Sequence, residues 1–139
     1  MIPATIGGYK VTEIGMFAFQ DCLDITSVVL PDSIQKIEFC AFANCSNLKT
    51  INIPKNVTSI ENAAFRYCSK LSALELPEGL ATLGTFSFWN CTGLTEIVIP
   101  KSLTKTTEAW GYINDGSVNY RDGAFYDCDG LKNGKKEEN

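Results

Sequence analysis

Histidine is absent from this 139-residue chain. The chain therefore has no imidazole to act as a general acid or base near neutral pH, to activate a serine or cysteine nucleophile, or to bind zinc. This absence argues against the commonest hydrolase mechanisms and against mixed cysteine–histidine zinc sites.

The sequence also lacks an excess of positive charge and any long apolar run. Twelve lysines and arginines stand against sixteen aspartates and glutamates, which gives a formal net charge of −4. This balance provides no basic surface for nucleic acid or anionic lipid. No run approaches the roughly 20 apolar residues that cross a membrane. The first ten residues, MIPATIGGYK, do not have the pattern of a signal peptide.

The composition that is present is typical of a folded domain. Hydrophobic residues make up 45% of the chain and charged residues 20%, which argues against global disorder. At this length the chain can bury the core of a single domain.

A 23-residue repeat dominates the sequence. Three of its markers are a proline, a phenylalanine and a cysteine: Pro31, Pro54, Pro77 and Pro100; Phe19, Phe42, Phe65 and Phe88; and Cys22, Cys45, Cys68 and Cys91. One unit has the pattern L-x-x-I-x-I-P-x-x-V-x-x-I-x-x-x-A-F-x-x-C-x-x. Because so small a unit can bury its apolar side only against a neighbouring unit, the repeat predicts a solenoid.

Each unit has the pattern of two short extended segments and a turn. In LKTINIP, Ile51 and Ile53 are two residues apart and face the same side of a strand, which Pro54 ends because it has no N–H to donate. A second extended segment such as VTSIE follows. The A-F-x-x-C segment is then predicted to form a helical or 3₁₀ turn with Phe and Cys pointing inward. Stacked units should form a parallel sheet with strands about 4.8 Å apart.

The unit resembles the BspA-like (Treponema pallidum type) leucine-rich repeat, and the resemblance covers roughly residues 2–131. It implies a leucine-rich repeat fold, a right-handed, strand-rich solenoid of about five coils. It also implies a non-enzymatic protein-interaction or adhesion module at a bacterial cell surface. The partners that it implies are host matrix or cell-surface proteins, without insertion into the membrane.

The places where the period breaks give the predicted organisation. One domain spans residues 1–131, and a polar tail spans 132–139. The domain consists of an irregular first coil (1–24), regular repeats (25–104), an insert (106–119) and a partial last coil (120–131). Five extra residues around IGGYK in the first coil indicate a hairpin-like loop.

The insert, TTEAWGYINDGSVN, carries Trp110 and Tyr112. Two interpretations stay open: the aromatic residues cap the end of the apolar core, or they form a binding loop. If the insert is a binding loop, deleting residues 107–119 weakens partner binding and leaves the far-UV circular dichroism and the melting transition nearly intact.

The cysteines are the strongest candidates for a disulfide, a metal site or a nucleophile. A column of stacked, parallel side chains has neither the torsion that a disulfide needs nor the convergence that tetrahedral zinc needs. We therefore predict buried free thiols that pack as small apolar side chains. Cys40 lies outside the cysteine column, at a repeat position that Phe17 and Ala63 also occupy. The sequence predicts no catalytic residue, no metal site and no cofactor.

Two surfaces are the candidates for partner binding. One is the outward side of the sheet, with Thr50, Asn52, Glu75 and Glu96. The other is the turn side, where Trp89 and Tyr126 occupy equivalent positions in neighbouring coils, close to Trp110 and Tyr112 of the insert. Exposed aromatic residues of this kind are typical of protein-binding hot spots.

Two other functions stay open at this stage. The chain is alternatively a structural spacer from a longer repeat array, or a carbohydrate-binding surface that uses the exposed aromatic residues. Open coil ends also make end-to-end self-association a further expectation.

Overall fold

The computed structural model describes residues 1–100, 103 and 123–133. Their ten short strands are Thr5–Ile6 (β1), Tyr9–Lys10 (β2), Glu13–Ile14 (β3), Ser27–Val28 (β4), Lys36–Ile37 (β5), Thr50–Ile51 (β6), Ser59–Ile60 (β7), Ala73–Glu75 (β8), Thr82–Leu83 (β9) and Glu96–Val98 (β10). Two 3₁₀ helices follow, at Gly123–Phe125 and Asp129–Asn133. No helix within these residues is long and apolar enough to span a membrane.

The first coil begins with an exposed β-hairpin. β1 pairs with β2 in antiparallel register around Gly7 and Gly8, whose φ angles are 58° and 84°. Glycine adopts these left-handed conformations without a steric penalty, which allows the two-residue turn. The hairpin confirms the loop predicted from the five extra residues.

The second extended segments of the first four units form a continuous parallel sheet. β3, β5, β7 and β9 lie side by side, and each strand is displaced from the next by one repeat. Ile14, Ile37, Ile60 and Leu83 are partners across this sheet and are buried. The 23-residue spacing therefore sets the strand register directly.

The first extended segments form two separate parallel pairs, β4 with β6 and β8 with β10. Within residues 1–100, no strand pairing joins β6 to β8. At the end of β6 the Asn52 side chain is hydrogen-bonded back to the preceding coil. It accepts from the Leu30 N–H at 2.7 Å and donates through Nδ2 to the Leu30 carbonyl at 2.9 Å. The sheet predicted along this side is interrupted between β6 and β8.

The A-F-x-x-C turns connect coils by alternating hydrogen bonds. In the second coil, Ala43 N–H donates to Cys40 O within the turn at 3.1 Å, while Phe42 N–H donates to Ala64 O of the next coil at 2.8 Å. At Gly123–Phe125 the same segment forms a 3₁₀ helix. The turn is therefore built jointly by neighbouring coils, which a single repeat cannot form alone.

Phenylalanine forms the central column of the core. The rings of Phe19, Phe42, Phe65, Phe88 and Phe125 stack in succession, with centroids 5.1 to 5.4 Å apart and planes within 7° of parallel. Four of these rings are buried, and Phe19 in the first coil is partly buried. This column confirms the inward-facing phenylalanines predicted from the repeat.

Candidate functional site

The repeated cysteines form a ladder of hydrogen bonds rather than a reactive site. The thiols of Cys45, Cys68 and Cys91 donate to the carbonyl of the phenylalanine in the preceding coil, at 3.0 to 3.2 Å. Cys128 does the same with Phe88 O at 2.9 Å. All six cysteines are free. The thiols therefore join the coils, in addition to filling space as small apolar side chains.

Burial makes these thiols poor nucleophiles. Desolvation raises the pKa of Cys45 to about 11 and raises the pKa of Cys68 and Cys91 further. Because the thiolate is the reactive form, a thiol that stays protonated at neutral pH does not attack or bind metal readily. Among residues 1–100, 103 and 123–133, no three His, Cys, Asp or Glu side chains form a group that holds a metal ion.

Cys40 has a backbone role at the start of the turn. Its φ angle of 53° is left-handed, and the equivalent residues in the other coils are left-handed too: Phe17, Ala63, Phe86 and Gly123. The Cys40 side chain is 5% exposed and packs with Ala43 and Ala63 in a small cluster separate from the main core. Burial raises the pKa of this thiol as well. Cys40 is thus a packing residue at a position that the repeat defines by its conformation.

The sheet-side candidates border a shallow groove at the interruption between β6 and β8. Asn52, Glu75 and Glu96 line this groove of about 760 Å³, together with Leu76 and Pro77. Glu75 lies opposite Val98, and Glu96 lies opposite Ala73, so the two carboxylates are diagonal neighbours.

Two of these side chains already have partners within the protein. Asn52 is used in its pair of hydrogen bonds to Leu30. Thr50, outside the groove lining, donates through its hydroxyl to Ser27 Oγ at 3.1 Å. The groove is therefore open and of mixed polarity, and the Asn52 side chain that lines it is already hydrogen-bonded within the fold.

The turn side carries a compact aromatic group, which we call the turn-face cluster: Tyr67, Phe86, Trp89 and Tyr126. The Trp89 ring centroid lies 5.0 Å from that of Tyr67, 5.4 Å from that of Phe86 and 6.3 Å from that of Tyr126. The Phe86 and Tyr126 rings meet edge to face at 5.9 Å. The predicted neighbours Trp89 and Tyr126 are thus brought together, with Phe86 in contact with both.

Polar contacts fix the Trp89 ring. Its indole N–H donates to Asp127 Oδ2 at 3.3 Å. The Arg66 guanidinium lies 5.9 Å from the Trp89 centroid and 5.5 Å from the Tyr67 centroid, within the range of a cation–π contact. A ring held on several sides has little freedom to lose when a partner covers it.

Sequence reasoning missed Phe86, Tyr67 and Arg66. Phe86 shares the repeat position of Cys40 and Ala63, and its 42% exposure places it on the surface. A signal was available: these three residues are large where other coils have smaller ones, such as Ala63, Asn44 and Ala43. Trp110 and Tyr112, with the rest of the insert, lie outside the described residues.

The 23-residue repeat also matches a known family. A sequence profile for the BspA-type leucine-rich repeat region matches residues 10–110, in six copies. The chain belongs to this family. None of the curated proteins matches the sequence.

Solved structures of leucine-rich repeat proteins show the same fold. A leucine-rich repeat protein of T. pallidum superimposes with a TM-score of 0.72 at 32% identity, over 76% of this chain and 49% of that protein. A leucine-rich repeat protein from Bacteroides ovatus superimposes with a TM-score of 0.69 at 37% identity, over 74% of this chain and 28% of that protein. A leucine-rich cell surface protein from Faecalibacterium prausnitzii superimposes with a TM-score of 0.55 at 29% identity, over 76% of this chain and 36% of that protein. The chain thus spans about half or less of each of these relatives.

Proposed function

We propose that this repeat module is a non-enzymatic interaction or adhesion domain that binds another protein through its turn-face cluster. The observation that supports the proposal is the contact of Phe86 with both Trp89 and Tyr126 on the protein surface. Clustered, pre-ordered aromatic rings are typical of protein-binding hot spots. The stacked coils beneath them supply a rigid support, so binding orders few groups.

The setting that we propose is a cell surface. The Faecalibacterium relative is described as a cell surface protein, and the family is the same. Host matrix proteins and other surface proteins are the partners expected in that setting. The hydrogen-bonded thiols of Cys45, Cys68 and Cys91 support the non-enzymatic part of the proposal, because burial raises their pKa and a protonated thiol is a weak nucleophile.

The test is binding of the immobilised chain to a panel of purified matrix and cell-envelope proteins. For any protein that binds, Trp89→Ala should weaken binding about tenfold or more, because it removes the centre of the cluster. Tyr9→Ala is the matched control, since Tyr9 is an aromatic residue 82% exposed in the N-terminal hairpin. Equal losses from the two variants, or unchanged binding by Trp89→Ala, would contradict the proposal.

A glycan panel measured in parallel separates the carbohydrate alternative. The Trp89 ring contacts other rings on several sides and its N–H is bonded to Asp127, which favours a protein surface over a free stacking platform. Glycan capture that disappears with Trp89→Ala, without any protein capture, would replace protein binding by carbohydrate binding.

A further inference from the structure

A row of aromatic side chains on the turn side has a gap at Ala63. Phe17 and Phe39 meet edge to face at 5.3 Å in the first two coils. Phe86, two repeats after Cys40, belongs to the turn-face cluster. Between them, the third coil has Ala63 at the position that Phe17 and Phe86 occupy in their own coils. The third coil, like the coils of Cys40 and Gly123, thus has no aromatic ring at this position, and rings of other coils lie on either side of it.

A pocket of about 360 Å³ lies at Ala63. Phe39, Phe86 and Trp89 contribute aromatic walls, and Ala63, only 7% exposed, is among the lining residues. Phe39 and Phe86 are 40% and 42% exposed, so their faces are accessible from solvent. A cavity of this size is at the small end of ligand pockets and suits a single side chain.

Arg66 gives the pocket a charge. Its side chain lines the cavity beside Trp89. In the part of the chain that the structure describes, no carboxylate forms an ion pair with Arg66, and its buried Nε atom has no acceptor. An unsatisfied donor on a cationic group is uncommon and favours a ligand that brings an anionic oxygen.

We propose that this pocket, which we call the Ala63 pocket, receives an aromatic side chain of a protein partner that has an acidic residue next to it in sequence. The ring occupies the gap between Phe39 and Phe86, where edge-to-face contacts continue the row. The neighbouring carboxylate pairs with the Arg66 guanidinium. This proposal rests on the proposed protein-binding function and names the chemistry that the partner presents.

The repeats themselves supply matched variants. Ala63→Phe places in the third coil the residue that stands at this position in the first and fourth. The φ angles there are 59° at Phe17, 56° at Ala63 and 56° at Phe86, so the backbone already accepts phenylalanine. Ala63→Gly copies Gly123 and leaves the pocket open. Arg66→Gln copies Gln20; it removes the charged guanidinium and keeps a polar amide.

The experiment is an NMR titration of the ¹⁵N-labelled full chain with two peptides, acetyl-Phe-Glu-amide and acetyl-Phe-Gln-amide. We expect shifts concentrated at Ala63, Thr85, Phe86 and the Trp89 indole. The Glu peptide should bind about threefold to tenfold more tightly than the Gln peptide. Ala63→Phe should weaken binding of the Glu peptide about tenfold or more, because the phenylalanine ring of the peptide can no longer enter the pocket. Ala63→Gly should bind as the wild type does, and Arg66→Gln should remove the difference between the peptides.

Phe39→Ala is a second variant, which removes one aromatic wall of the pocket and should also weaken binding of the Glu peptide. It tests the proposal if Ala63→Phe does not fold. Shifts elsewhere in the chain, no saturation at millimolar peptide, or equal binding by wild type and the filled variant would overturn the proposal. Methyl glucuronide that saturates the pocket where both peptides fail would also overturn it, in favour of an anionic sugar. If Ala63→Phe retains a protein partner that Trp89→Ala loses, the Ala63 pocket proposal falls and the proposed function stands.

Discussion

Phe65 and Phe88 stack with their ring centroids 5.1 Å apart and their planes 1° from parallel. Each ring belongs to a different coil, 23 residues apart in the sequence. The contact therefore joins two coils that are distant in sequence, and equivalent contacts repeat along the column. Stability in such a fold is a sum of neighbouring-coil contacts, so a change at one ring is felt on both sides.

Phe65→Ala should lower the free energy of unfolding by about 3–5 kcal/mol, because Phe65 is fully buried between Phe42 and Phe88. Urea unfolding followed by circular dichroism measures the change. Phe39→Ala is the control: Phe39 is 40% exposed, and its loss should be much smaller. Comparable losses from the two variants would contradict the ring column as the main source of stability.

Alkaline pH should destabilise the chain through its buried thiols. Burial raises the pKa of Cys45 to about 11, from an ordinary value of about 8.5. The thiol's contribution is fully present below about pH 8.5, because both states are then protonated. As pH rises toward 11, the unfolded state ionises first, and the free energy of unfolding falls. Urea midpoints between pH 8 and 10.5 should fall more steeply for the wild type than for Cys45→Ser; parallel slopes would contradict the assignment.

The Asn52 side chain should stabilise the second coil. Asn52→Ala leaves the Leu30 N–H and carbonyl without their amide partners, and the expected loss is about 1–3 kcal/mol. Thr50→Ala removes a single exposed hydroxyl contact with Ser27 and should change stability by less than about 0.5 kcal/mol. Differential scanning calorimetry compares the two. A neutral Asn52→Ala would mean that water replaces the amide without penalty.

Gly84 tests how closely the coils approach each other. A Cβ atom at Gly84 would collide with the backbone of Glu61 and Asn62 in the preceding coil. Gly84→Ala should therefore destabilise the chain by about 1–3 kcal/mol. Gly15 is at the same repeat position and has no atom within 4 Å of its Cβ site. Gly15→Ala should be tolerated, and equal effects on the melting temperature would exclude the close approach.

The repeat made most of the fold predictable. A fixed 23-residue spacing forces equivalent residues into columns, so the phenylalanine stack and the strand register follow from Phe42 and Ile37 and their counterparts in other coils. The interruption between β6 and β8 was not predictable, because the 23-residue spacing is the same there as elsewhere. The hydrogen bonds from Asn52 to the backbone of the preceding coil were not predictable either. Periodicity does not record such contacts.

The candidate site was predicted only in part. Trp89 and Tyr126 share a repeat position and were expected to be neighbours, and their rings are in contact. Phe86 and Ala63 occupy a different column, in which every residue has a left-handed φ angle. The sequence pattern does not predict these angles. Ala63 lines the pocket where Phe17 and Phe86 have a ring in their own coils, and the pocket becomes visible only when the coils are stacked.

The most direct test of the central claim, that the turn face binds a protein partner, compares two double variants against the same captured protein. Phe86→Ala with Trp89→Ala removes the centre of the turn-face cluster, and Thr50→Ala with Glu96→Ala changes the outward side of the sheet. Biolayer interferometry should show a loss of about a hundredfold for the first pair and less than about threefold for the second. A loss confined to the Thr50 and Glu96 pair would place recognition on the sheet and contradict the account.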